Sequence, residues 1–585
     1  MRRRSAVGLA LAVAAAVVLP SGVASTVAAW NDTEWTSGTV GTSSFDCGVD
    51  TGYSVTAESA FLRGSLFGQD LGAVAELEPL VLERSGDDPV EVSPPTAVDL
   101  GAGDGDPGRD TRGQPIAVSA LGLVGLDLTG FQVGLPATSA GAVNQFARVT
   151  TTGTSTAASG LVDNGGGLLV SDDTPQDALP EPARLSLGGI LPGISGVADA
   201  GLEVGAVGSR AELDWCAAAY SDAWGDGSET GLARDYGIAS LDLGFDSAGV
   251  EGLTGEVVDT VDVLDAAVGQ LAGQNGLISQ ALRESLVNGL VSGLSLGSLT
   301  GSVTITGLDL SGAVEALLTE PISDGEITID PVTGEVFVDL ASLLGDDTGG
   351  VNDLDPNTEL VVDSDVINDL TARTGTLLDG WTSAVTAALD AELAGARVVV
   401  DLSTVVSLGS TQILRVNLDL DSTVGELEAG EAVLAVDTDV LGLVSTLNLV
   451  LGVLGISVTG LVNSIVALGP VLLGDVVGLV TDSLIAPLDT AGVAIAALTA
   501  PVVRTLSAVV SGLPSVLSLM VNVQPDQPGA PPGPGTEAPS GTTSGEFSVS
   551  ALRIGLLDDV APDGGVVYVE FATSTAGPNR LPTGP

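Results

Sequence analysis

The 585-residue sequence has no histidine and no lysine; all 18 of its basic side chains are arginines. Without imidazole there is no Ser-His-Asp or Cys-His relay, no ordinary acid–base group near neutrality and no His-containing zinc site. Without a primary amine there is no P-loop lysine, no Schiff base and no Lys–Asn isopeptide crosslink. Aromatic residues are only 3% of the chain, too few to line the stacking cleft that a glycosidase uses to hold sugar rings. What these absences leave open is carboxylate chemistry and calcium binding.

What is present is acid and aliphatic. Arg2, Arg3 and Arg4 precede an apolar run from Ala6 to Leu19, Pro20 to Gly22 break it, and the small residues Val27, Ala28 and Ala29 follow. That order reads as a secretory leader, with cleavage expected between Ala29 and Trp30. The apolar run is shorter than the roughly 20 residues a spanning helix needs. Removal of the leader leaves 15 arginines against 75 carboxylates, a formal charge of −60. Such a surface repels nucleic acid and anionic lipid alike, so neither nucleic acid nor, after cleavage, a membrane is an expected partner. Two cysteines, Cys47 and Cys216, in a chain bound for an oxidising exterior are expected to form a disulfide. Hydrophobic residues at 44% suffice for a large core of Val, Leu, Ala and Ile.

Along the chain the texture changes several times. After the leader (1–29), residues 30–247 carry short β-prone segments between Gly, Asp, Ser and Thr, as from Ala142 to Ser155 and from Gly237 to Phe245, and predict an antiparallel sandwich. Residues 248–420 mix α and β. Ile278, Leu282, Leu286, Leu290 and Leu294, and again Leu377, Trp381, Val385, Leu389 and Leu393, recur at helical spacing. Between them, alternation on both sides of Pro331–Gly334 predicts a hairpin from Glu326 to Asp339. Residues 421–513 read as helix-rich, and the stretch between Asp439 and Asp475 carries no charge. Residues 514–576 form a C-terminal β unit around a Pro/Gly-rich loop at 525–544, and 577–585 read as a tail. The fold class expected is mainly β, of antiparallel sandwich-like sheets with amphipathic helical inserts, α+β overall.

Few motifs survive inspection. Asp-Thr-Gly occurs at Asp50–Gly52 and Asp347–Gly349, but the second lies in an acidic loop without the flanking hydrophobic strand an aspartic dyad needs, and both read as turns. An acidic stretch offers Asp346, Asp347, Asp353, Asp355, Asn357 and Glu359 as a loose calcium loop. It is not an EF-hand: counted from Asp353, Thr358 stands where the glycine belongs and Ser364 where the bidentate glutamate belongs. Asp104 and Asp106 make a second acidic loop. Trp215 and Trp224 flank Cys216 and read as core. No other cofactor is implied. Leu581–Pro585 lacks a residue of the sortase motif and shows no following apolar span.

Residues 28–40 (AAWNDTEWTSGTV) resemble the processing region of TasA/camelysin-type, SipW-dependent-type exported proteins. Over nearly the whole length, Ser59–Gly68, Ala142–Arg148, Asp235–Leu243, Ala551–Ile554 and Ala572–Asn579 resemble the actinobacterial choice-of-anchor G family. That resemblance implies an extracellular or cell-surface protein whose anchor varies between members. The expectation is a secreted structural or adhesive protein, no enzyme, meeting cell-wall or extracellular matrix components and able to self-associate. A self-assembling TasA-like matrix subunit and a carboxylate-dependent extracellular hydrolase are the alternatives.

Overall fold

The computed structural model describes residues 51–581 apart from 67–68, 71–76, 102–107, 116–132, 135–143, 171–178, 180–181, 188–196, 225–230, 346–349, 516, 532–544 and 557–566. In chain order, β1 (Val55–Leu66), β2 (Leu80–Arg84), β3 (Arg109–Pro115), β4 (Asn144–Thr150) and β5 (Thr154–Gly160) are followed by β6 (Ala183–Ser186), β7 (Val197–Val204) and β8 (Val207–Asp214). A helix α1 (Trp215–Trp224) leads to β9 (Leu232–Ile238) and β10 (Leu241–Ser247). The middle holds helices α2 (Ala248–Leu271) and α3 (Leu277–Gly289), the hairpin β11 (Ile327–Ile329) and β12 (Glu335–Asp339), the long helix α4 (Ser364–Gly395) and the long hairpin β13 (Arg397–Leu408) and β14 (Thr411–Thr423). An outer strand β15 (Ala435–Val440) precedes α5 (Val444–Leu451), α6 (Val458–Val466), α7 (Gly469–Val480) and α8 (Ala486–Gly512). Strands β16 (Leu517–Val523), β17 (Phe547–Leu556) and β18 (Val567–Ala576) close the chain.

Among the described residues there are four antiparallel sheets, and the class is α+β. The first, in the order β16-β17-β18-β1-β2, joins the first and last of the described strands, with β18 paired to both β17 and β1. A second runs β11-β12-β10-β7-β6, a third β9-β8-β5-β4-β3, and a fourth is built on β13 and β14 with β15 outermost. The sandwich predicted for residues 30–247 is therefore made by facing the third sheet with strands from the far end of the sequence.

Small residues let those two sheets meet closely. Ser59 Oγ donates to the Ala158 carbonyl at 2.7 Å, and Ser209 Oγ lies 2.7 Å from Ser574 Oγ. Ala57, Ala157, Ala211 and Ala576 are fully buried alongside them. Neighbouring strands also approach so tightly that a Cβ on Gly160 (φ +91°) would stand 2.1 Å from the Val207 carbonyl oxygen. The scarcity of aromatics is thus matched by a thin, hydroxyl-bridged interface rather than a thick one.

The segment read as a tail begins inside this structure. Asn579 is fully buried: its amide donates to the carbonyls of Gly153 (3.0 Å) and Leu213 (3.1 Å), and its oxygen accepts from Ser155 Oγ (3.1 Å). Arg580 exchanges backbone hydrogen bonds with Ser54.

Aliphatic helices supply the rest of the core. Helix α2 buries Val250, Leu253, Val257, Val261 and Leu264, and α4 buries Leu370, Leu378, Trp381, Val385, Leu389 and Leu393. Each buried Leu or Val contributes about 1.5–3 kcal/mol relative to exposure. Helix α4 starts because Asp363 accepts hydrogen bonds from the free amides of Asp365 and Val366. The run from Val458 to Gly512 is long and apolar enough to cross a membrane, with 28% of its most apolar stretch buried; it packs Leu461, Ile465, Leu472, Val476, Val502 and Leu506 into the common core.

Candidate functional site

The most chemically loaded place in the described residues is a row of acids across the second sheet. Antiparallel register sets Arg184 opposite Glu203, Glu203 opposite Asp242, and Asp242 opposite Asp339. The next row along the same strands is Leu185, Leu202, Leu243, Val338 and Ile327, all buried. Alternation therefore puts the carboxylates on the face turned away from those core residues. Glycines on that face let neighbouring side chains lie over it: a Cβ on Gly244 would meet the Phe337 ring at 3.1 Å, and one on Gly201 would meet the Arg184 side chain at 2.8 Å.

Three carboxylates abreast cannot all ionise at no cost. Burial first, then the Asp339 and Glu203 carboxylates, push Asp242 up to about 6, against a hydrogen bond from Ser240. Its neighbours are committed elsewhere. Arg184 Nη1 donates to Glu203 at 3.0 Å, and Asp339 caps the short helix Leu340–Leu344 by accepting from the Ser342 amide and hydroxyl at 2.9 and 2.7 Å. The arrangement lets the Asp242 carboxyl keep its proton up to about pH 6 on a half-buried sheet surface.

A second charged row lies in the terminal sheet, where Glu570 sits between Arg553 and Arg63 in register. Burial raises the Glu570 carboxyl, while Arg553, Arg63 and Ser550 pull it back down. Arg553 is buried with its guanidinium 5.2 Å from the Tyr568 ring centre. A family model described as a domain of unknown function (DUF8394) matches residues 57–577, from β1 to the residue after β18. The chain belongs to that family. No curated protein and no solved structure matches it.

In this DUF8394 chain the residues singled out for calcium are dispersed among other duties. Asn357, with φ +59°, donates to the carbonyls of Gln524, Gln527 and Pro528 at 2.9–3.2 Å and accepts from the Gln524 amide at 2.7 Å. Its side chain is a clamp on the entry to the Pro/Gly-rich loop, and its oxygen is already in use. Glu359 lies in a two-residue strand paired to β16 and accepts from Ser518 at 3.4 Å. The Asp355 carbonyl, not its carboxylate, accepts from Thr358 Oγ1. Asp353 sits at φ +62°. Asp346 and Asp347 lie outside the described residues, as do Asp104 and Asp106, and among the described residues no three carboxylates or thiols converge on a metal-sized space.

Cys216 is buried at the start of α1 and is not a free thiol. Asp214 caps that helix, accepting from the Cys216 and Ala217 amides at 2.9 and 3.1 Å. Ala29, Trp30 and Cys47 lie outside the described residues. Trp215 is buried against Tyr53, ring centres 5.3 Å apart, as a core residue. Sequence reasoning did not find the Asp242 row, because it is assembled from strands nearly 140 residues apart.

Proposed function

We propose that the protein is an exported structural or adhesive component of the cell surface, with no catalytic role. The observation that carries the reading is the leader pattern of Arg2–Arg4, the apolar run and the small residues before Trp30. The absence of His and Lys, an aliphatic core and a strongly acidic exterior support it. So does the chemistry of the Asp242 row, whose other members are engaged by Arg184 and by a helix cap. The resemblance to choice-of-anchor G proteins points the same way, towards cell-wall or matrix components as partners.

We extend the proposal to a Cys47–Cys216 disulfide. It rests on the even cysteine count and the oxidising destination. Closing so long a loop stabilises by about 4 kcal/mol in the chain-entropy account. Fractionation of the producing cells tests the localisation. The protein is expected in the wall fraction or the medium; recovery only from cytosol contradicts the proposal.

A further inference from the structure

The large apolar side chains that face solvent are not evenly spread. Among the described residues, Val433, Leu443, Leu449, Val453 and Val493 are more than 70% exposed, and the first four fall within 21 residues. Leu449 and Val453, at 80% and 85%, stand one helical turn apart, opposite the buried stripe of Leu447 and Leu451. The hairpin that presents them is fixed: Asn448 Oδ1 accepts from the Val458 amide at 2.8 Å, tying α5 to α6, and Leu454 packs over Gly293. Scattered exposed aliphatics need no explanation, but Leu449 and Val453 stand side by side on one anchored turn.

We infer that this α5–α6 hairpin is where a second copy of the chain docks. Two copies, each formally at −57 with the leader and −60 without it, repel wherever their carboxylates face. Residues 440–474 carry no charge at all, so a two-fold contact made by this segment with itself sets none of its own side chains against a like charge. The adjoining outer strand β15 does the opposite, presenting Asp437 and Asp439, which would oppose their own copies in an edge-to-edge pairing. A lipid surface is the poorer occupant: residues 440–474 hold no aromatic and no arginine, the side chains that anchor helices at a membrane interface.

Sedimentation velocity on the full mature protein tests the inference. The expected result is a reversible dimer that tightens as sodium chloride rises from low to high concentration, because salt screens the repulsion. Leu449→Glu with Val453→Glu is expected to abolish the dimer while leaving the thermal melt unchanged, and Val493→Glu, at another exposed aliphatic, is expected to leave the dimer intact. Three results would overturn the inference: a monomer at every concentration and salt, a dimer that survives the double substitution, or a monomer that floats with neutral phosphatidylcholine vesicles.

Discussion

Asp242 carries a proton that a solvent-exposed aspartate would have lost. Its folded value near 6 lies above the ordinary 3.8, so the folded protein binds more protons than the unfolded chain between those values. The resulting stabilisation is complete below about pH 4 and disappears as pH rises through about 6. Asp242→Asn removes the titration. The variant is expected to be more stable than the parent by about 1–3 kcal/mol at pH 7.5 and nearly equal to it at pH 4, in urea unfolding at the two pH values. A variant less stable at pH 7.5 would show that the charged form is favoured in the fold. Asn357 makes a second case at this scale. Asn357→Gly keeps the positive φ but deletes the clamp on Gln524, Gln527 and Pro528, and is expected to cost about 1–3 kcal/mol and to speed proteolysis within 525–544. Chelation of calcium is expected to leave the melting temperature of the parent unchanged. An amide side chain at positive φ in an acidic loop serves a cation or backbone groups equally well, and sequence does not say which is near; here the Asn357 amide meets the carbonyls of Gln524, Gln527 and Pro528.

At the scale of elements, local periodicity was legible and distant pairing was not. The hairpin expected from Glu326 to Asp339 forms with Ile327 opposite Val338 and Ile329 opposite Val336, because alternation and turn are both local. Trp381, Val385, Leu389 and Leu393 are buried on α4 as their spacing predicts, whereas Leu290 and Leu294 fall beyond the end of α3. Helix α2 was harder to see. Its Gly, Val, Thr and Asp are indifferent helix formers, and its buried face is what holds it. The acidic row escaped for the same reason as the mixed sandwich: both depend on which strands become neighbours. One such distant contact is a buried ion pair, Arg234 with Asp526, whose side chains are 5% and 9% exposed. It ties β9 to the start of the Pro/Gly-rich loop. Arg234→Met alone is expected to destabilise by about 3–5 kcal/mol by stranding the carboxylate, and adding Asp526→Leu to recover most of that loss. Additive effects in thermal unfolding would contradict this.

At the scale of the whole molecule, the first and last of the described strands lie in one sheet. Strand β18 lies between β17 and β1, and Asn579 is buried against β5 and β8. Removing residues 567–585 would therefore uncover both neighbours and the hydroxyl-lined face of the third sheet. The truncated protein is expected to lose cooperative unfolding, with near-UV circular dichroism as the readout. A sandwich closed by strands from both ends of the described residues, filled with aliphatics and belonging to a chain of formal charge −57, is compatible with the exported role proposed above. The most direct test is the intact mass of the native protein, taken without reductant. A mass for Trp30–Pro585 less two hydrogens, recovered from wall or medium, is the expected value; a full-length Met1 precursor with two free thiols, recovered from cytosol, would contradict the account.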